Sequence, residues 1–266
     1  NKKIPTMTRA LILAAGQGTR LRPLTDDKPK CLVPLLGKSL LERQVDTLKK
    51  SGVTDIHVAS GYRSDQIESL GFSTTINPRF AETNMVETLF SALAFIQQKG
   101  DLIIAYGDIV YQSNNLQALL NNKDEISLMI DAKWRDLWSL RLDNPLDDAE
   151  TLLMDGDGYV TELGKKPQSY EQIEGQYTGL IKIRADKLEE FIAFYNQLNR
   201  SAIYDGKDFD NMYMTSFLQL LIDSGWKAKG VQVNNGWLEV DTVEDLSQYE
   251  TMAKNGKLGQ FYKVEI

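Results

Sequence analysis

The sequence predicts an α/β fold: a mainly parallel mixed sheet covered by helices on both faces, with a small antiparallel excursion near residues 150–180. Three observations carry this. Apolar strand-like runs alternate with stretches of helical spacing along most of the chain. The 266 residues are 42% hydrophobic and 25% charged, ample for a full core. Asp155-Gly-Asp-Gly158, between two short apolar runs, marks a hairpin beside the main sheet.

The elements follow in order. Leu11 to Ala15 is an apolar first strand that empties into a loop carrying Gly16 and Gly18, a Rossmann-like strand and turn. Ser39 with Glu42 forms a capping box. Leu41, Val45 and Leu48 follow at helical spacing, Lys49 and Lys50 close the last turn, and Gly52 ends it. Ile56 to Ser60 reads as the second strand. Asn84 with Glu87 caps a helix that carries Leu89, Phe90, Leu93 and Ile96 and stops near Gly100. Leu102 to Tyr106 is a buried strand ending in Gly107-Asp108, and Ile126 to Ala132 is another. Thr151 to Met154 and Tyr159 to Leu163 flank the hairpin turn, and Tyr177 to Arg184 is a strand. Helices are expected from about Asp186 to Leu198 and from about Phe209 to Ser224. Val231, Val233, Leu238 and Val240 suggest closing strands, and Thr242 with Asp245 opens the last helix. The expected organisation is one domain over residues 7–266, with residues 1–6 a tag, linker or upstream remnant.

Composition narrows the chemistry. Cys31 is the lone cysteine, so neither an internal disulfide nor a cysteine-built zinc site is possible. The lone histidine, His57, sits in an apolar run and reads as a sheet residue rather than a catalyst. No stretch approaches the ~20 apolar residues of a membrane span, and no signal peptide is visible, so the expected location is cytoplasmic. Net charge is −7, yet Arg20, Arg22, Lys28 and Lys30 crowd the segment after the first strand. A local cationic patch on an acidic chain points to a specific anion, not to nucleic acid. Strand, glycine loop and cations together suit a polyphosphate: the loop N–H groups approach the anion and the cations balance its charge.

Leu13-Ala-Ala-Gly-Gln-Gly-Thr-Arg-Leu-Arg-Pro-Leu-Thr25, with Lys28-Pro-Lys30, resembles the signature of the nucleotidyltransferases that make nucleotide-sugars and CDP-alcohols. The resemblance implies attack by a substrate phosphate on the α-phosphorus of a nucleoside triphosphate, with release of pyrophosphate. It makes Lys30 and Arg20 the catalytic cations. It implies a nucleotide site of Leu13, Ala14, Ala15, Gly16, Gln17, Gly18, Thr19, Arg20, Lys30, Gly61, Asn84 and Gly107. It also makes Asp108 and Asp241 the carboxylates for Mg²⁺, an ion that prefers oxygen ligands and bridges phosphates. No nucleophilic side chain is needed, because the acceptor phosphate is already an anion.

The acceptor is read from further strings. Asn84-Met-Val-Glu-Thr-Leu-Phe-Ser91, Trp134-Arg-Asp-Leu-Trp-Ser-Leu-Arg141 with Pro145-Leu-Asp-Asp-Ala-Glu150, and Gly236-Trp-Leu-Glu-Val-Asp241 resemble the cytidylyltransferases acting on phosphocholine and related phospho- or phosphono-amines. Lys166-Pro167 is similar to an element whose lysine meets the acceptor phosphate. The implied acceptor set is Asp108, Tyr111, Trp134, Trp138, Lys166, Tyr177, Trp237 and Glu239, since aromatic faces and carboxylates hold an ammonium. The expected partners are CTP and a small phosphorylated or phosphono amino alcohol, with Mg²⁺ as cofactor. A sugar-1-phosphate nucleotidyltransferase is the alternative, and a non-catalytic nucleotide-binding regulatory domain is the second.

Overall fold

A computed structural model describes residues 7–265; the reading of residues 1–6 lies outside the described residues. Arg9–Ala14 forms β1, and Pro34–Leu35 (β2) pairs with Lys38–Ser39 (β3) in a small turn. Leu40–Lys50 is α1, opened by the Ser39 hydroxyl, which accepts from the Glu42 N–H. Asp55–Ser60 (β4), Ser64–Ser69 (α2) and Ser73–Ile76 (β5) follow. The helix expected from Asn84 is two pieces, Met85–Ser91 (α3) and Leu93–Ile96 (α4). The backbone leaves helical geometry at Ala92, with ψ 34°. The buried Arg9 guanidinium then donates to the carbonyls of Phe95, Ile96 and Gly100.

Leu102–Tyr106 (β6) runs into Gly107-Asp108 and a short strand, Ile109–Tyr111 (β7). Ser113–Asn121 (α5), Ile126–Asp131 (β8) and Trp134–Arg141 (α6) complete the first half. The hairpin is Leu152–Met154 (β9) with Val160–Leu163 (β10), antiparallel. Then come Gln176–Ile183 (β11), Leu188–Asn196 (α7), Met214–Asp223 (α8), Ala228–Val233 (β12), Trp237–Glu239 (β13) and Val243–Lys254 (α9). α8 starts later than the sequence suggested, because Met212 and Tyr213 are extended after a 3-10 turn at Phe209–Asn211. Among the described residues no helix is long and apolar enough to cross a membrane.

The main sheet has seven strands in the order β12-β8-β11-β6-β1-β4-β5. All neighbours are parallel except β11, which runs antiparallel between β6 and β8. The antiparallel character therefore enters the centre of the sheet as well as the side hairpin. β1 is buried on both faces. Ala10, Ile12 and Ala14 face a core with α1, α2, α5 and α6, whereas Leu11 and Leu13 face a core with α3, α4, α7 and α8. That double burial is why β1 is a continuous apolar run instead of an alternating one. Each fully buried leucine in these layers contributes about 1.5–3 kcal/mol. The carboxyl ends of β1 and β6 lie side by side, with the Gly107 N–H donating to the Leu13 carbonyl at 2.9 Å. A crevice at such strand ends is the usual ligand position in an open α/β sheet.

Candidate active site

The loop after β1 has a fixed shape. Gly18 takes φ +61°, and a Cβ there would sit 3.0 Å from Lys30 Cβ and 3.0 Å from Thr25 Cγ2, so the position excludes a side chain. The Thr25 hydroxyl donates to the Gly18 carbonyl at 2.6 Å, and the Tyr62 hydroxyl donates to the Thr25 carbonyl at 2.9 Å. Lys30 begins a one-turn 3-10 helix, Lys30–Leu32.

The Lys30 ammonium donates to Asp108 Oδ2 at 2.9 Å and to Asp241 Oδ1 at 3.0 Å. Arg20 approaches Asp241 Oδ2 at 2.7 Å. The carboxylates meet because β7 and β13 pair antiparallel, with Ile109 opposite Glu239, and Val240 N–H donates to the Asp108 carbonyl. Burial alone would lower the Lys30 pKa; the charges and hydrogen bonds of Asp108 and Asp241 outweigh it and raise it. Asp108 Oδ1 is buried and has no hydrogen-bond partner. Among the described residues no cluster of three or more His, Cys, Asp or Glu side chains stands ready for a metal.

Around this cluster lies a cavity of about 230 Å³ lined by Leu13, Ala14, Ala15, Gly16, Gly18, Thr19, Arg20, Lys30, Asn84, Gly107, Asp108 and Asp241. Phe80, Thr83, Met85 and Thr88 complete its wall. Cys31 also lines it, but burial pushes its thiol up to about 12, which removes it as a nucleophile at neutral pH. His57 lies elsewhere, on β4, stacked on Phe95 at 4.9 Å and bonded to the Ser73 and Thr75 hydroxyls.

A second cleft, of about 380 Å³, shares Arg20, Lys30, Asn84, Asp108 and Asp241. It continues past Trp138, Asp148, Glu150, Gln176, Tyr177, Trp237 and Glu239. The Trp138 indole donates to Asp148 at 3.0 Å and that of Trp237 to the buried Asp131 at 2.8 Å. Both rings are packed, 4% and 1% exposed, so they offer little open face. Tyr213, 44% exposed, is the most open aromatic side chain on this wall. The cleft is acidic instead. Burial first, then Asp148, raises the Glu150 carboxyl to about 7. Water still reaches Glu150 from the open side, which moderates that effect. Glu239 is raised to about 7 as well, burial outweighing the opposing charge of Arg141.

Several expected residues stand outside both clefts. Tyr111 is 1% exposed in the core, its hydroxyl donating to Gln44 at 2.9 Å. Trp134 is 4% exposed, packed on Trp138 and Tyr170. Lys166 is exposed after the hairpin and lines neither cleft. Gln17 lines neither, and nor do Arg22 and Lys28, although all belong to the same basic segment. Gly61 lines neither, but a Cβ there would lie 2.5 Å from Phe80 Cβ, so it makes room for a ring that does. Sequence reasoning missed Phe80, Tyr213 and Gln176; Asp148 and Glu150 lie in a string that carried the resemblance but were not named as site residues. The buried Gln176 holds the Glu150 backbone by two bonds, and a glutamine opening an apolar strand was the available signal.

Comparison with known proteins bears on the family and the fold. A family model described as the MobA-like NTP transferase domain matches residues 10–138. The CTP:phosphoglutamine cytidylyltransferase of Campylobacter jejuni is 46% identical over 246 residues, covering 89% of this chain and 97% of that protein. Two solved structures share the fold. The CTP:phosphocholine cytidylyltransferase of Streptococcus pneumoniae superposes with TM-score 0.70 at 21% identity, covering 93% of this chain and 100% of its own. The inositol-1-phosphate CTP transferase of T. maritima superposes with TM-score 0.71 at 19% identity, covering 97% and 98%. On the strength of the near-full-length relative, the chain belongs to the nucleotidyltransferase family.

Proposed function

We infer that residues 7–266 form one cytidylyltransferase domain, which moves CMP from CTP onto the phosphate of a small amine-bearing acceptor. The observation that carries this is the convergence of Lys30, Arg20, Asp108 and Asp241 where a small-walled cavity opens into an acidic cleft. An acceptor phosphate oxygen attacks the α-phosphorus. The bond to the α–β bridging oxygen breaks, and pyrophosphate leaves with the electron pair. Ala14, Ala15 and Gly16 give a flat base a smooth backbone surface. Lys30 and Arg20 bear on the triphosphate and stabilise the departing charge. Neither step needs a side-chain base.

Asp108 and Asp241 fit a magnesium ion. One Asp108 oxygen is buried without a partner, and Mg²⁺ ordinarily takes one or two carboxylates and completes its shell with phosphate and water. When bound it supplies further neutralisation of phosphate charge. Such a reaction, drawing on CTP and Mg²⁺, suits the cytoplasm.

The acidic second cleft favours a cation on the acceptor, and Glu150, Asp148 and Glu239 are the groups to meet it. The 46% identical relative makes phosphoglutamine the first acceptor to try. Phosphocholine and 2-aminoethylphosphonate follow. The test is pyrophosphate release with CTP and Mg²⁺ across those acceptors and a set of hexose 1-phosphates. Turnover with an amine-bearing acceptor is expected. Turnover with hexose 1-phosphates alone would overturn the acceptor class.

A further inference from the structure

Arg141 ends α6 and its side chain is 6% exposed. Its Nε and Nη2 donate to the two oxygens of Asp245 at 2.9 and 3.0 Å, and Nη1 donates to Glu239 at 3.1 Å. Asp245 is equally buried. Its Oδ2 also accepts from the backbone N–H groups of Asp241, at 3.1 Å, and Thr242, at 3.2 Å. One guanidinium therefore ties α6 to β13 and to the start of α9. The helix cap alone does not call for this, since Thr242 and Asp245 already satisfy each other reciprocally. Burying an ion pair costs desolvation that hydrophobic packing would avoid. The pair fixes the segment from Glu239 to Thr242, and the Asp241 carboxylate on that segment faces Lys30 and Arg20.

We propose that Arg141 is a positioning residue for the reaction: through Asp245 it fixes the Asp241 backbone, and so the direction in which the Asp241 carboxylate faces the bound divalent cation. This rests on the reading of Asp108 and Asp241 as that cation's carboxylates. A lysine keeps the charge but cannot reproduce a planar fork that serves both oxygens of one carboxylate and one of another. Outer partners of metal ligands tune affinity by roughly 10–100-fold.

The experiment is Mn²⁺ binding, read by electron paramagnetic resonance, to the full chain with a non-hydrolysable CTP analogue. Wild type, Arg141→Lys, Asp245→Asn and Asp108→Asn are compared, together with the Mg²⁺ requirement for pyrophosphate release and the melting curve. Arg141→Lys is expected to melt cooperatively and to bind Mn²⁺ roughly tenfold or more weakly. Its Mg²⁺ requirement should rise in parallel. Asp245→Asn, which keeps an acceptor oxygen for the cap, should behave alike and serves if the lysine variant fails to fold. Variants that melt earlier yet bind Mn²⁺ as wild type does would make the pair merely structural and overturn the proposal. Failure of both to fold would do the same. Wild-type Mn²⁺ affinity in Asp108→Asn would instead overturn the reading of the carboxylates.

Discussion

The backbone N–H of Val240 donates to the carbonyl of Asp108 at 3.0 Å. That bond extends the β7–β13 ribbon by one step and leaves Asp108 and Asp241 side by side, although they are distant in sequence. Two carboxylates so placed repel each other unless a cation stands between them. Lys30 supplies it, at 2.9 and 3.0 Å. Arg20, 2.7 Å from Asp241, supplies the second positive charge, so the two cations balance the two carboxylates.

Lys30→Ala should therefore separate activity from folding. We expect a cooperative melt and a fall in kcat of about 10²-fold or more, the usual scale for removing a donor from a developing charge. Thermal denaturation with steady-state kinetics checks both. Full activity in the purified variant would remove Lys30 from the chemistry.

The same ammonium sets an alkaline limit on stability. Its folded pKa is raised above the ordinary 10.5, Asp108 and Asp241 overcoming burial. A raised basic group contributes stability that is complete below the unfolded pKa and is lost as pH climbs toward the folded one. The stability advantage of wild type over Lys30→Met, from urea midpoints, should hold steady between about pH 8 and about pH 10 and shrink above that. An advantage that grows above that range would contradict the ion cluster.

If Glu150 meets the acceptor as proposed, its raised carboxyl gives acceptor binding a pH dependence of its own. Burial and then Asp148 raise its carboxyl, so it gains its charge at a higher pH than an ordinary glutamate. KM for an amine-bearing acceptor should fall as pH rises from about 6 to about 8, and Glu150→Gln should flatten that dependence. Identical profiles in wild type and variant would remove Glu150 from the acceptor site.

Asp131 supports the Trp237 wall of the second cleft from behind. It is fully buried and accepts from the Lys133 and Asn235 backbone N–H groups and the Trp237 indole, each at 2.8 Å. Asp131→Ala would strand the buried Trp237 indole N–H, at about 1–3 kcal/mol, and take the partner from two part-buried backbone N–H groups that water can reach. A loss of about 1–3 kcal/mol is expected in urea unfolding with the slope unchanged. A loss below about 1 kcal/mol would mean that water reaches the indole N–H as well.

The sequence made the strands and caps legible wherever they rest on local chemistry. The apolar run of β1, the Ser39 cap and the Thr242–Asp245 cap all need only neighbouring residues. Helix α5, rich in Ser and Asn, and strand β5, Ser-Thr-Thr-Ile, lack that pattern and take shape only against the sheet. The break at Ala92 depends on packing that periodicity does not carry. In the site, the glycine loop stood out by its order of strand, glycines and cations, whereas Asp108 and Asp241 were picked out by resemblance, and nothing local shows that they meet. Tyr111 and Trp134 misled because an aromatic residue reads alike whether it lines a cleft or fills a core. Glu150 was hidden because its placement depends on Gln176, on another strand.

The most direct measurement is a crystal structure with Mg²⁺ and a CTP analogue whose α–β bridge is a methylene. The base should lie on Ala14 to Gly16, the phosphates should contact Lys30 and Arg20, and one metal ion should touch both Asp108 and Asp241. A triphosphate bound away from Lys30, or a metal ion that touches neither aspartate, would contradict the site.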